Sequence, residues 1–401
     1  MYQHTPMYAN KRIWAIAIAE TIVWAGLFYI FPANLINWVD HFNWGIAQIS
    51  IALTCSLITS AISGIVSGII IDRGYSKLLM VTSSFVGALL LLSINSITDL
   101  WQFYMIWILI GIMFSGCLYE PCFAFITRSY GQQSKQVIIM VTLVAGFAGT
   151  ISFPITNLLT SIFNWQTSLL FFSMAIIFIA SPLFLYGTSI STNNIRNTAN
   201  DTKLSEIILT LLKSPFFWGL SLTLFFISTN HGMLISQILP LLKTKGLESN
   251  TTVLYASLIG PSQVFGRMTL FAIESYANKK IPAVVACFTA MVLLIIAVTI
   301  LKISMGSMIM TGLFIFLQGG AYGIMNIVKP TIISELLGKS NYGLTASLVG
   351  VGWMLGFALA PAAGGIIATK WSYNTLTYSA MTLAVLGLIT LIFTINLTKK
   401  R

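Results

Sequence analysis

The chain has 401 residues, of which 57% are hydrophobic and only 8% charged, and its mean hydropathy is +0.88. A water-soluble domain of this length needs far more charge on its surface, so composition excludes one and makes the lipid bilayer the solvent. A formal net charge of +11 would suit nucleic acid only if the cations clustered; they follow membrane topology instead, and no nucleic-acid partner is expected.

Crossing a hydrocarbon core of roughly 30 Å takes about 20 apolar residues in a helix, because each backbone polar group must be satisfied within the segment. Such stretches run in order over 13–35, 46–71, 78–97, 100–126, 137–158 and 167–185, then over 216–239, 253–273, 281–301, 305–328, 344–367 and 375–397. The expectation is an all-α polytopic membrane protein with twelve spans. Lys11 and Arg12 before the first run imitate a signal peptide, but the run is too long, carries Glu20 and lacks a cleavage site, so it reads as span 1.

With both termini inside, seventeen of the 21 Lys and Arg residues face the cytoplasm, and only Lys243, Lys245, Lys302 and Lys370 lie outside. Cations are retained on the cytoplasmic side, which predicts a multi-pass protein of the cell's inner membrane with cytoplasmic ends. Cys55, Cys117, Cys122 and Cys287 all fall within spans and show no metal-ligand spacing; packing is their expected role, with no metal and no cofactor.

One long polar connection, 188–214, separates six spans from six, giving an N-terminal bundle over 1–187 and a C-terminal bundle over 215–401. The halves echo each other. Glu120-Pro121 closing span 4 recurs as Lys329-Pro330 closing span 10; Gly146-Phe147-Ala148 recurs as Gly356-Phe357-Ala358, and Tyr130-Gly131 as Tyr342-Gly343. Three matches in order at nearly constant offset predict parallel six-helix repeats, the arrangement that puts a solute site between the halves near the midplane. Glycine pairs four apart, Gly64 with Gly68, Gly319 with Gly323 and Gly352 with Gly356, predict close helix approach.

The turn between spans 2 and 3 reads Gly68-Ile69-Ile70-Ile71-Asp72-Arg73-Gly74-Tyr75-Ser76-Lys77. It resembles the signature loop of the major facilitator superfamily at Gly68, Asp72 and Arg73, and departs from it where Tyr75-Ser76 replace a more usual basic residue. The resemblance covers the whole chain. It implies two pseudo-symmetric bundles, helices 1, 4, 7 and 10 around a central water path, and a cytoplasmic gate built on Gly68, Asp72, Arg73 and Lys77. Gly260-Pro261-Ser262-Gln263-Val264-Phe265-Gly266-Arg267 in span 8 looks like the segment of monocarboxylate and oxalate-type carriers in which an arginine binds the substrate carboxylate; Gln263 stands where those carriers have an acid. The alternative for Arg267 is a side chain snorkelling to the cytoplasm or pairing with Glu274.

Ionisable groups within spans are costly and therefore functional candidates. Glu20 lies seven residues into span 1, and Glu120 at similar depth in span 4; either can carry a coupling proton. Glu120 has a second reading, because Lys329 occupies the equivalent position of the other half and the two would form a gate pair. Span 7 contributes Asn230, His231 and Gln237 beside an interrupting Gly232, with His231 a proton or solute ligand or a hydrogen-bonded packing residue. Tyr119, Gln318, Tyr322 and Asn326 on spans 4 and 10 complete the candidate contacts.

No phosphate-binding loop and no nucleophile with an attendant base is present, so neither an enzyme nor an ATP-driven pump is expected. Secondary transport of a small organic solute by alternating access is, with protons as coupling ion, a small-molecule anion such as a carboxylate as cargo, and a monomer in the bilayer as the working form. A drug, siderophore or amino-acid carrier of the same fold is the alternative within transport, and a non-transporting membrane receptor the alternative outside it.

Overall fold

The computed structural model describes residues 10–189, 204–277, 280–337 and 342–398. The middle of the predicted linker, the Tyr342-Gly343 side chains and the carboxyl-terminal cations lie outside the described residues, as does the side chain of Asp72. Among those described, every regular element is helical. In hydrocarbon every backbone polar group must be paired, and a helix pairs them within its own segment.

Ten helices are long and apolar enough to span a membrane, and an eleventh span is the pair Pro215–Ser236 and Ile238–Thr244, bent by 69°. The remaining expected span, the eighth, is built of Ser249–Ser257 and Ile259–Tyr276. Gln263, Arg267 and Glu274 on one short helix make it more polar than its neighbours.

The chain divides into two compact units, Met1–Arg196 and Asn197–Arg401. In the first, span 1 packs on spans 5 and 6, span 2 on span 4, and span 3 on spans 4 and 6. In the second, span 7 packs on spans 11 and 12, span 8 on span 10, and span 9 on spans 10 and 12. Each unit therefore repeats one pattern of pairing.

Glycine makes the closest of these approaches. A Cβ on Gly111 would run into the backbone of Ser56, and one on Gly323 into the backbone of Gln263; both contacts join the second helix of a half to its fourth. A Cβ on Gly319 would likewise lie 2.8 Å from the Ile259 carbonyl oxygen, and one on Gly352 2.5 Å from that of Ser221. Lipid offers no hydrophobic drive between helices, so this shape fit replaces it. Gly64 and Gly68 depart from expectation: within its own half, neither would bring an added Cβ within 4 Å of anything.

Several helices are longer than their apolar cores. Span 1 runs over Lys11–Phe42 and contains a π-helical turn at Trp24–Tyr29. Span 4 continues to Tyr130 but breaks at Leu118, whose backbone is extended (φ −93°, ψ −161°). Pro121 explains the break, since it has no N–H for the Cys117 carbonyl and its ring crowds that turn. Pro330, its counterpart, sits inside an unbroken helix, Met308–Leu337. Glu120 and Lys329 thus do not close their spans: Glu120 starts the half-helix Tyr119–Tyr130, with about 15 Å of helix after it, and about 12 Å of helix follows Lys329 at 1.5 Å per residue. Span 7 is also unbroken at Gly232, where an added Cβ would come within 2.8 Å of the Ala360 methyl of span 11; the bend falls at Gln237.

Candidate functional site

In the first unit the site begins with Glu20, which is fully buried, and neither of its carboxyl oxygens has a hydrogen-bond partner. The Cys122 thiol, the Trp24 indole and the Glu120 carboxyl are the groups that face it. Trp24 lies one turn further along span 1, yet its Nε1 also lacks a partner, so thiol and indole approach the carboxyl without forming aligned hydrogen bonds. Glu120 is exposed and occupies the first turn of the half-helix Tyr119–Tyr130. An acid there complements the partial positive charge of a helix N-terminus. The break in span 4 creates that N-terminus inside the membrane, and the π turn begins at Trp24, one helical turn after Glu20. Tyr119 closes the group, its ring 4.6 Å from Trp24 and stacked on Phe123 at 5.0 Å.

In the second unit spans 7, 10 and 11 bring together five of the predicted residues, Asn230, His231, Gln318, Tyr322 and Lys329. Buried Asn230 donates from Nδ2 to the Ala380 carbonyl (2.7 Å) and accepts from Gln318 Nε2 (2.8 Å). Next to it His231 stacks on Tyr322, with ring centroids 3.5 Å apart and planes within 9°. Tyr322 in turn stacks on Trp353 at 5.3 Å, and the Lys329 ammonium lies 4.8 Å over the Trp353 ring. Span 10 aligns Gln318, Tyr322, Asn326 and Lys329 because three and four residues make one turn; Asn326 is exposed.

Arg267 is buried and reaches Gln263 Oε1 at 3.5 Å through Nη2. Glu274, named in the alternative reading of Arg267, accepts the backbone N–H of Ile281 (3.0 Å), while Glu335 receives that of Ala283 on both oxygens. Free N–H groups at the start of span 9 claim these carboxylates. Gln237, fully buried, sits apart at the bend of span 7, where Tyr373 donates to its Oε1 at 3.5 Å. At the signature turn Arg73 and Lys77 are exposed, and Arg128 Nη1 donates to the Ile71 carbonyl at 3.0 Å, tying span 4 to the end of span 2. No group of three or more His, Cys, Asp or Glu residues fit to hold a metal occurs among the described residues.

Sequence reading missed Trp24, Cys122 and Trp353. Trp24 was findable, four residues after an intramembrane acid. Cys122 and Trp353 carried no signal, because buried thiols and aromatic residues fill most membrane helices without binding anything.

Two units of apolar helices, each repeating one pattern of pairing, define a multi-pass membrane protein. The family model for the Major Facilitator Superfamily matches residues 16–316, and the chain belongs to that family. It is a secondary transporter of small solutes and not an enzyme.

Similar solved structures share the fold. A bacterial homolog of the human lysosomal transporter Spinster, in an inward-facing and occupied conformation, is 17% identical with a TM-score of 0.68, the alignment covering 96% of each chain. The same homolog, inward-facing and unoccupied, gives 0.66 at 17% identity over 98% of this chain and 95% of that one. A mutant of the nucleoside transporter NupG gives 0.68 at 12% identity over 96% and 99%. No curated protein matches the sequence.

Proposed function

We propose that this carrier couples protons to the movement of a small organic anion of the carboxylate class, with Glu20 as the proton site and Lys329 and Arg267 as the anion-binding cations. The observation that carries the reading is Glu20: an intramembrane carboxyl, fully buried, with no hydrogen bond to either oxygen. An ionised carboxylate left so is costly by several kcal/mol, whereas a protonated one is far less so. A group that must take up a proton to be buried and can release it when wetted is what coupling requires.

The charge distribution supports an anion. The buried cation Arg267 and the half-buried Lys329 belong to spans 8 and 10, and the intramembrane acids to spans 1 and 4. The cation asymmetry of the loops supports the inner membrane with both termini cytoplasmic, and a monomer suffices.

The test is uptake of labelled carboxylates into proteoliposomes, less the uptake of protein-free vesicles. Acidifying the outside by one pH unit is expected to drive accumulation of about tenfold, the equilibrium ratio for one proton per anion, and a protonophore to abolish it. Flux indifferent to the pH difference, or confined to cationic drugs, would overturn the reading.

A further inference from the structure

Spans 2, 3 and 4 of the first unit leave a groove of about 280 Å³ between them. Span 2 walls it from Ser63 to Ile70, span 3 from Leu79 to Val86, and Ile112 and Met113 of span 4 form its floor. The groove opens sideways: among its lining residues Val66 is 58% exposed, Val86 39% and Ile112 37%. Each wall covers about 10 Å of helix at 1.5 Å per residue, and the two run antiparallel from one turn. Ile70 stands just before Arg73, and Leu79 just after Lys77. The groove therefore starts at the signature turn and reaches about two thirds of the way through one leaflet, which is half of a hydrocarbon core of roughly 30 Å.

Its hydroxyls are already committed. Ser63 donates to the Thr59 carbonyl (2.6 Å), Thr82 to that of Leu78 (2.8 Å) and Ser115 to that of Ile112 (2.8 Å), while Ser67 and Ser115 share a bond at 2.9 Å. Ser83 is buried against Gly116. A polar guest would give up its water here without gaining partners, whereas a hydrocarbon chain loses nothing. The mouth has the opposite character. Arg73 and Lys77 are exposed, and Arg128 adds a third cation, its Nη1 on the Ile71 carbonyl at 3.0 Å. Against these three the turn sequence 72–77 has one acid, Asp72. Tyr75, 58% exposed in the same turn, is of the residue type that marks a membrane–water interface.

We infer that the groove seats one acyl chain of an anionic phospholipid, from the leaflet that the turn faces, and that the lipid phosphate rests on Arg73 and Lys77. Groove and cations are in register: a chain lying along the walls brings its headgroup out at the turn. Each Lys or Arg near an anionic headgroup contributes about a fivefold gain in binding. The bound lipid bridges spans 2 and 3 and braces the turn between them. This site stands whether or not the carrier moves a carboxylate.

The test is competition for radiolabelled dioleoylphosphatidylglycerol bound to the purified full chain in detergent. Unlabelled phosphatidylglycerol is expected to displace it roughly tenfold to thirtyfold better than phosphatidylcholine of the same chains, the product of two cations. Arg73→Gln with Lys77→Gln brings that ratio to within about twofold. Thr82→Phe, which sets a ring into the groove from an exposed position, weakens both lipids by a similar factor. Inorganic phosphate displaces no label. Equal displacement by the two lipids on the unaltered protein overturns the site and needs no variant. Phosphatidylglycerol binding untouched by Thr82→Phe, or full displacement by inorganic phosphate, overturns the seating of a chain in the groove.

Discussion

Replacing Glu20 by Met should make the protein more stable and uncouple it. Met keeps the length and helix propensity of Glu but removes two oxygens that are buried without hydrogen bonds. A buried unsatisfied polar group costs about 1–3 kcal/mol, so the variant should gain on that order. Its host unit, Met1–Arg196, is of a size at which 1 kcal/mol moves Tm by about 2–4 °C, which puts the rise at several degrees. Thermal unfolding in detergent measures it. In proteoliposomes the same variant should still exchange labelled for unlabelled anion across a membrane with no pH difference. Accumulation driven by one pH unit should fall from about tenfold to none. A lower Tm with coupling intact would mean that Cys122 and Trp24 satisfy Glu20 as a packing partner, and the argument from its burial would be refuted.

Other expectations follow from single contacts. Asn230→Ala removes the bonds to Ala380 and Gln318 and leaves buried partners unsatisfied; a loss of about 1–3 kcal/mol should appear as a lower Tm and as weaker anion binding. Gly323→Ala drives a methyl into the Gln263 backbone and should impair folding, whereas Gly64→Ala, with open space in its own half, should leave Tm within about 1 °C of the parent; a reversed order would contradict the packing described. The exchange Glu120→Lys with Lys329→Glu separates the two readings of those residues. If Lys329 serves the anion, the double variant should transport no better than either single one; recovery of uptake would assign the pair to a gate.

The fold was legible because hydrocarbon leaves the chain so few choices. Apolar runs of sufficient length had to be helices, and the echo of Glu120-Pro121 in Lys329-Pro330 exposed the repeat that the pairing of helices reproduces in each half. Helix ends were less legible, because Pro121 and Pro330 look alike in sequence. One breaks its helix beside an extended Leu118, and the other is absorbed in an unbroken one. Glycine pairs were ambiguous for a similar reason: spacing puts Gly64 and Gly68 on one face, but only neighbouring backbones decide whether that face is filled. Gly111, with no glycine partner four residues away, makes one of the closest contacts of all.

At the site, charges in the membrane were conspicuous and their surroundings were not. Glu20, His231, Arg267 and Lys329 stood out by cost alone. Trp353 did not, since nothing in a run of Gly, Val, Trp and Met distinguishes a ring facing Tyr322 from one facing lipid.

Proton movement observed directly bears most closely on the central claim. In vesicles loaded with a pH-sensitive dye and set at equal pH inside and out, adding carboxylate outside should acidify the lumen faster than in protein-free vesicles, and Glu20→Met should remove the excess. Anion entry through the unaltered protein with no excess acidification would contradict the account.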